Sequence, residues 1–157
     1  YVRPEQGGYL YGFFEPDPTP IDLDLLPDDF CTAHVAEPRA TIAEAARRLA
    51  PVFPTLHELE VAEYIQGITS FAPDGSYLIG PVSETEGLFV ASGCAALGIA
   101  GAAAIGRWLA GWVVDGDPGD DLSDFGLQRF GARSEDRPWI RQQSLDFYGT
   151  YYGIRHQ

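Results

Sequence analysis

The run from Gly98 to Val114, GIAGAAAIGRWLAGWVV, constrains the fold more than any other segment. Small and apolar residues without proline predict one helix, closed by Asp115-Gly116. Gly98, Ala102, Gly106 and Ala110 recur at four-residue spacing, a smooth ridge that expects a closely packed neighbour. The uncharged stretch from Gly87 to Gly106 approaches the ~20 apolar residues that span a bilayer. Its first third is strand-like, Ala and Gly dominate it, and Arg107 follows, so a strand, a turn and a helix describe it better, and no membrane partner is expected.

The rest of the composition narrows the class. The chain has 157 residues, a length suited to one core, and a formal net charge of -13. All ten cations are Arg, and the acidic excess repels polyphosphate, so nucleic acid is an unsuitable partner. Two cysteines, Cys31 and Cys94, form neither a disulfide framework nor a zinc motif. Reduced thiols and the lack of a leader-like basic-then-apolar opening lead us to expect a cytoplasmic protein. The sequence contains no Met, and Tyr1 is no initiator, which raises the expectation of a fragment of a larger protein.

Along the chain, YVRPEQGGYLYGFFEP predicts a β-hairpin turning at Gly7-Gly8. Prolines and carboxylates from Asp17 to Pro38 predict a long loop. Thr41 with Glu44 has the spacing of a capping box opening a helix that buries Ile42, Ala45, Ala46 and Leu49 and ends at Pro51 or Pro54. The β-rich runs from Glu63 to Val82 and from Gly87 to Gly93, punctuated by Asp74-Gly75 and Glu86-Gly87, predict a hairpin followed by a buried strand. After an acidic loop, Trp139, Gln143, Phe147 and Tyr151 at four-residue spacing predict a second helix. The expected class is α+β, divided into residues 1–75 and 76–157.

Glycines at Gly93 and Gly98 stand where a strand passes into a helix, but neither Gly-Lys-Ser/Thr nor GxGxxG is present. What remains is a helix N-terminus suited to an electron-rich ligand atom, or glycines that merely permit tight packing. His34, His57 and His156 share no spacing and read as surface or structural histidines. Asp74 reads as a turn residue and Cys94 as an inert thiol, although a helix N-terminus would lower its pKa. No Ser lies in GxSxG, so nothing supports a hydrolase.

In order, Tyr1-Val2-Arg3 with Gly8-Tyr9-Leu10-Tyr11-Gly12, Pro73-Asp74-Gly75, Leu78-Ile79-Gly80-Pro81, Gly87-Leu88-Phe89-Val90-Ala91, Gly93, Gly98-Ile99, Gly106 and Trp112 are motifs of one family. They resemble the C-terminal part of the flavin domain of the sarcosine dehydrogenase and dimethylglycine dehydrogenase family of FAD-dependent oxidoreductases. Arg129-Phe130, Trp139-Ile140-Arg141 and Tyr148 through Tyr152 favour that branch. The resemblance implies that Gly93, Leu97, Gly98, Ile99 and Ala100 face FAD through backbone N–H groups, near flavin N1 and O2. It implies oxidation of a C–N bond in an N-methylated, secondary or tertiary amino acid by hydride transfer to flavin. Tyr1, Arg3, Tyr9 and Tyr11 become candidates for the substrate site, Arg3 for a substrate carboxylate; sheet packing or a solvated face is the other reading of each.

Two departures limit the resemblance. Ala100 stands where the oxidase branch has a Lys, and Gly67 lies where monomeric oxidases attach flavin through a Cys. The family's dinucleotide-binding half lies upstream of anything here. The expectation is therefore an antiparallel substrate-domain sheet with packed helices plus a strand-loop-helix from a flavin-binding domain. Alone, such a chain should bind FAD weakly or not at all and be inactive, its apolar surface either exposed or covered by self-association. The competing class is a noncatalytic module that retains the fold and binds a small amine or a protein.

Overall fold

The computed structural model describes residues 1–15 and 17–151. Among the described residues, two short antiparallel sheets and three α-helices give an α+β structure, distributed over two compact units, Tyr1–Ile68 and Thr69–Gln157.

The first unit opens with a hairpin of β1 (Val2–Glu5) and β2 (Gly8–Tyr11), in the register Val2 to Tyr11 and Glu5 to Gly8. Its turn residues are Gln6 at φ 45° and Gly7 at φ 82°, whereas Gly8 is the first residue of β2. The expected Gly7-Gly8 turn therefore sits one residue earlier: a two-residue loop needs φ > 0 at both centres, and Gln6 adopts it. The proline-rich segment forms only short 3-10 turns at Leu23–Leu25 and Thr32–His34.

Helix α1 spans Arg39–Leu49 and begins two residues before the expected cap at Thr41. Pro38 precedes the first turn, and no side chain caps it. Glu44 is committed elsewhere, accepting from Arg47 Nε at 2.8 Å and Arg48 Nε at 2.8 Å, so no capping box forms. Ala46 and Leu56 are the buried apolar residues of this unit, and Ile42, Ala45 and Leu49 are half-buried beside Ala46.

In the second unit, β3 (Leu78–Pro81) and β4 (Phe89–Ser92) pair with each other, Leu78 opposite Ser92 and Pro81 opposite Phe89. The hairpin is thus closed by the turn at Glu86-Gly87, and Asp74-Gly75 instead leads from a bridge at Phe71 and Cys94 into β3. The run from Glu63 to Ser70 forms no strand; among the described residues its nearest approach to one is the Ala95 N–H bonded to the Ser70 carbonyl at 3.0 Å.

Helix α2 spans Gly98–Asp115 and stops at Gly116, whose φ of 72° only glycine adopts without strain. Ile105 faces inward with Ala72, Ile79, Ala95 and Leu122. The ridge anticipated at Gly98, Ala102, Gly106 and Ala110 is not where this unit packs closely. Ala102, Gly106 and Ala110 are exposed, and a Cβ on Gly106 would meet nothing within 4 Å. Close approach occurs at Gly101, against the Tyr77 ring, and at Gly111, against the Asp117 carbonyl.

Helix α3 (Arg137–Thr150) follows Asp136, which accepts from the Trp139 N–H at 3.0 Å. Its far end presents Phe147 and Tyr148, with Tyr151 just beyond, to the Phe71 ring at centroid distances of 6.1, 5.2 and 5.6 Å. The Ser144 hydroxyl donates to the Phe71 carbonyl at 3.0 Å.

Candidate functional site

Between β4 and α2 the chain turns through Gly93 at φ 66°, Ala95 at φ 44° and Ala96 at φ 63°. Two alanines in the left-handed region cost about 1–2 kcal/mol each, so the surroundings must hold them there. Ala95 is buried and Cys94 is bridged to Phe71. The Leu97 N–H donates to the Cys94 carbonyl at 2.6 Å. Gly93 is packed against Ala72 and the Ser76 carbonyl, each 3.4 Å from where its Cβ would lie.

This turn delivers the chain into the first turn of α2, where no side chain caps the helix and no acidic residue stands. Ile99 is 97% exposed and Leu97 is 46% exposed. The backbone N–H groups of Gly98, Ile99 and Ala100 thus form an accessible pole with no charged side chain. Such a pole stabilises partial negative charge on a ligand atom. The donor set fits the N1 and O2 edge of a flavin, where backbone N–H groups can stabilise negative charge without a cation. Gly93, Leu97, Gly98, Ile99 and Ala100 all lie in this one turn and helix start.

Behind the turn stand two residues to which the sequence assigned no role, Tyr77 and Arg129, the second known only as part of a family motif. The Tyr77 hydroxyl donates to the Leu97 carbonyl at 3.1 Å. Arg129 pairs with Asp74 and also donates to the carbonyls of Phe125, Gly126 and Ser76. Asp74 keeps its expected local bond, accepting from the Ser76 N–H at 3.0 Å. Burial pushes its carboxyl up, but the hydrogen bonds from Arg129 and Ser76 outweigh it and hold the group below its ordinary value.

The hairpin of the first unit separates the other candidates by face. Opposed residues share a face and successive residues alternate, so Tyr9 and Tyr11 lie with Val2 and Pro4, and Arg3 lies with Leu10 on the other side. Tyr1, 72% exposed, continues the Arg3 side, with its ring against Gly12. Arg3 pairs with Glu5 at 3.1 Å, and Tyr9 meets Phe53 edge to face at 4.9 Å. Tyr11 lines a cleft of about 120 Å³ with Arg39, Ile42, Leu56 and Tyr64. Burial, and then Tyr64, push the Tyr11 hydroxyl pKa up. That cleft is well below the roughly 300 Å³ of a typical small-molecule pocket.

Among the described residues no group of three or more His, Cys, Asp or Glu side chains is placed to hold a metal. His34 is engaged locally, its Nδ1 accepting from the Cys31 N–H at 3.4 Å, and His156 lies outside the described residues. No helix among the described residues is long and apolar enough to cross a membrane.

A family model described as FAD dependent oxidoreductase matches residues 1–112, which takes in the hairpin, the Pro-Asp-Gly turn, the left-handed turn and most of α2. The chain belongs to the FAD dependent oxidoreductase family. Within it, the chain is 32% identical to 4-methylaminobutanoate oxidase (formaldehyde-forming) of Paenarthrobacter nicotinovorans, over 98% of this chain and 19% of that protein. It is 29% identical to the mitochondrial pyruvate dehydrogenase phosphatase regulatory subunit of Mus musculus, over 99% of this chain and 18% of that protein. Human mitochondrial sarcosine dehydrogenase is 30% identical over 64% of this chain and 11% of its own length. The chain spans about a fifth of the length of the first two relatives. No solved structure matches it.

Proposed function

We propose that this chain is the substrate-sheet and flavin-loop part of a longer FAD-dependent oxidoreductase that oxidises the C–N bond of an N-methylated, secondary or tertiary amino acid. The observation that carries this is the uncapped start of α2, held open behind a left-handed turn. When bound, FAD supplies the hydride acceptor for such an oxidation. The N–H groups of Gly98, Ile99 and Ala100 would orient its N1 and O2 edge and stabilise the charge that develops there on reduction. Gly93 lets the chain turn tightly enough to bring that pole round.

Substrate recognition is assigned to the hairpin. Arg3 would exchange its contact with Glu5, made at an exposed position, for a substrate carboxylate. Tyr1 would bound the same face, and Tyr9 and Tyr11 would support the sheet from the other. The names of the relatives, which include 4-methylaminobutanoate oxidase and sarcosine dehydrogenase, favour an N-methylated amino acid as the substrate class. Free Cys31 and Cys94 accord with a reducing compartment such as the cytoplasm.

The chain alone would bind FAD weakly and lack activity, because it contains no GxGxxG segment for the pyrophosphate. Its exposed α2 ridge would meet the dinucleotide-binding half or, failing that, a second copy. The test is a visible spectrum over about 350–500 nm with equilibrium dialysis against FAD, on this chain and on the longer polypeptide. Flavin bound by the longer polypeptide, with turnover of sarcosine, dimethylglycine or 4-methylaminobutanoate, supports the proposal. Absence of bound flavin from the longer polypeptide refutes it.

A second reading is favoured by one observation: a relative named as a regulatory subunit matches nearly the whole chain. In that reading the fold serves as a noncatalytic module for a small amine or a protein. Flavin binding without turnover of any N-methylated amino acid would select it.

A further inference from the structure

We propose that Tyr77 is a positioning residue that aims the Gly98 N–H at the flavin, an inference that rests on the flavin-facing role assigned above. The Leu97 carbonyl and the Gly98 N–H are the two ends of one planar peptide unit, so fixing the direction of one fixes the other. The Leu97 oxygen is held twice. It accepts from the Gly101 N–H at 2.9 Å, within the helix, and from the Tyr77 hydroxyl at 3.1 Å, outside it. Those two bonds occupy the two lone pairs of a carbonyl oxygen and leave the plane little freedom to tilt.

The position of Tyr77 is itself enforced. It follows Ser76, whose N–H is bound by Asp74 and whose carbonyl accepts from Arg129, and it precedes β3. Gly101 makes the room: a Cβ there would lie 2.6 Å from the Tyr77 oxygen. The strain at Ala95 and Ala96 gives the clamp its purpose, since a turn built on two unfavourable alanines relaxes unless its exit is pinned. A phenylalanine ring at position 77 would fill the same space and leave the peptide plane held from one side only.

The test is Tyr77→Phe in the longer flavoprotein, read by FAD affinity, the visible spectrum of bound flavin and its midpoint potential. Loss of one such bond should weaken FAD binding about fivefold, change the bound spectrum and shift the potential to more negative values, as the Gly98 N–H is aimed less well at the reduced form. Gly101→Ala, which displaces the ring with Tyr77 intact, should move spectrum and potential in the same direction. A Tyr77→Phe protein with lowered thermal stability but unchanged spectrum and potential would reduce Tyr77 to a packing residue and overturn the proposal, leaving the flavin role intact. A parent protein that binds no FAD would overturn the flavin role and this inference together.

Discussion

Arg129 grips Asp74 with two parallel hydrogen bonds, Nε to Oδ2 at 2.8 Å and Nη2 to Oδ1 at 2.9 Å. The pair ties the Pro-Asp-Gly turn to the 3-10 segment Leu127–Glu135, and the Arg129 side chain is only 11% exposed while that of Asp74 is 40% exposed. Removing the carboxylate leaves a nearly buried guanidinium without its counter-charge. Asp74→Asn should cost about 2 kcal/mol, less than a wholly buried pair because solvent reaches the aspartate. Thermal unfolding of the two proteins side by side measures the loss, and an unchanged midpoint would show the pair to be dispensable.

The same aspartate sets an acid limit. Its carboxyl is held below the ordinary value of 3.8, because the bonds from Arg129 and Ser76 outweigh burial. Folding therefore favours the ionised form: the stabilisation is complete above the ordinary value and is lost as pH falls through the lower folded-state value. Glu44, lowered from 4.5 to about 2 by hydrogen bonds from Arg47 and then Arg48, has the same sign but lies at the surface, where solvent screens it. In urea unfolding, the stability gap between wild type and Asp74→Asn should be widest near about pH 7 and narrow toward about pH 2.

Two glycines on α2 should respond oppositely to alanine. At Gly106 a Cβ meets nothing within 4 Å, so Gly106→Ala should stabilise the chain by about 0.8–1 kcal/mol through helix propensity. At Gly111 the new Cβ would lie 2.6 Å from the Asp117 carbonyl oxygen, and Gly111→Ala should destabilise by about 1–3 kcal/mol. Denaturant midpoints of the two variants check the sign of each.

The hairpin offers a stabilising change. Gln6 sits at φ 45° beside Gly7 at φ 82°. Gln6→Asn gives the turn the Asn-Gly pair that tolerates φ > 0 at both positions, and should gain several tenths of a kcal/mol. Slower amide exchange at Gly8 and Leu10, which stand in the hydrogen-bonded pairs of the ladder, would report it.

The helices were legible because their signals are local. Gly116 ends α2 where Asp115-Gly116 foretold it, and Pro51 stands two residues beyond the end of α1, past Ala50. Thr41 misled because a capping box needs a free glutamate, and the two arginines that claim Glu44 lie on the next turn of the same helix. The strand pairing misled more. The run from Glu63 to Ser70 carries β-branched residues without a partner strand, and propensity cannot supply one. The backbone donors at the head of α2 were inferable from glycine spacing and family resemblance. The roles of Tyr77 and Arg129 were not, although Arg129 stood in a family motif, because each acts through a carbonyl or carboxylate brought near by folding.

The length of α2 separates two kinds of chemistry. Its 18 residues extend about 27 Å from the uncapped start at Gly98 to the aspartates around Gly116. At physiological salt a surface charge is screened in solvent over about 8 Å. The far end, with Asp115 and Asp117, is thus electrically remote from the pole at the other, whereas Asp120 folds back to Arg107 and Trp108 at mid-helix. Charges there can be exchanged to alter solubility or the approach of a partner, while the field felt by a molecule at Gly98 stays as the backbone made it.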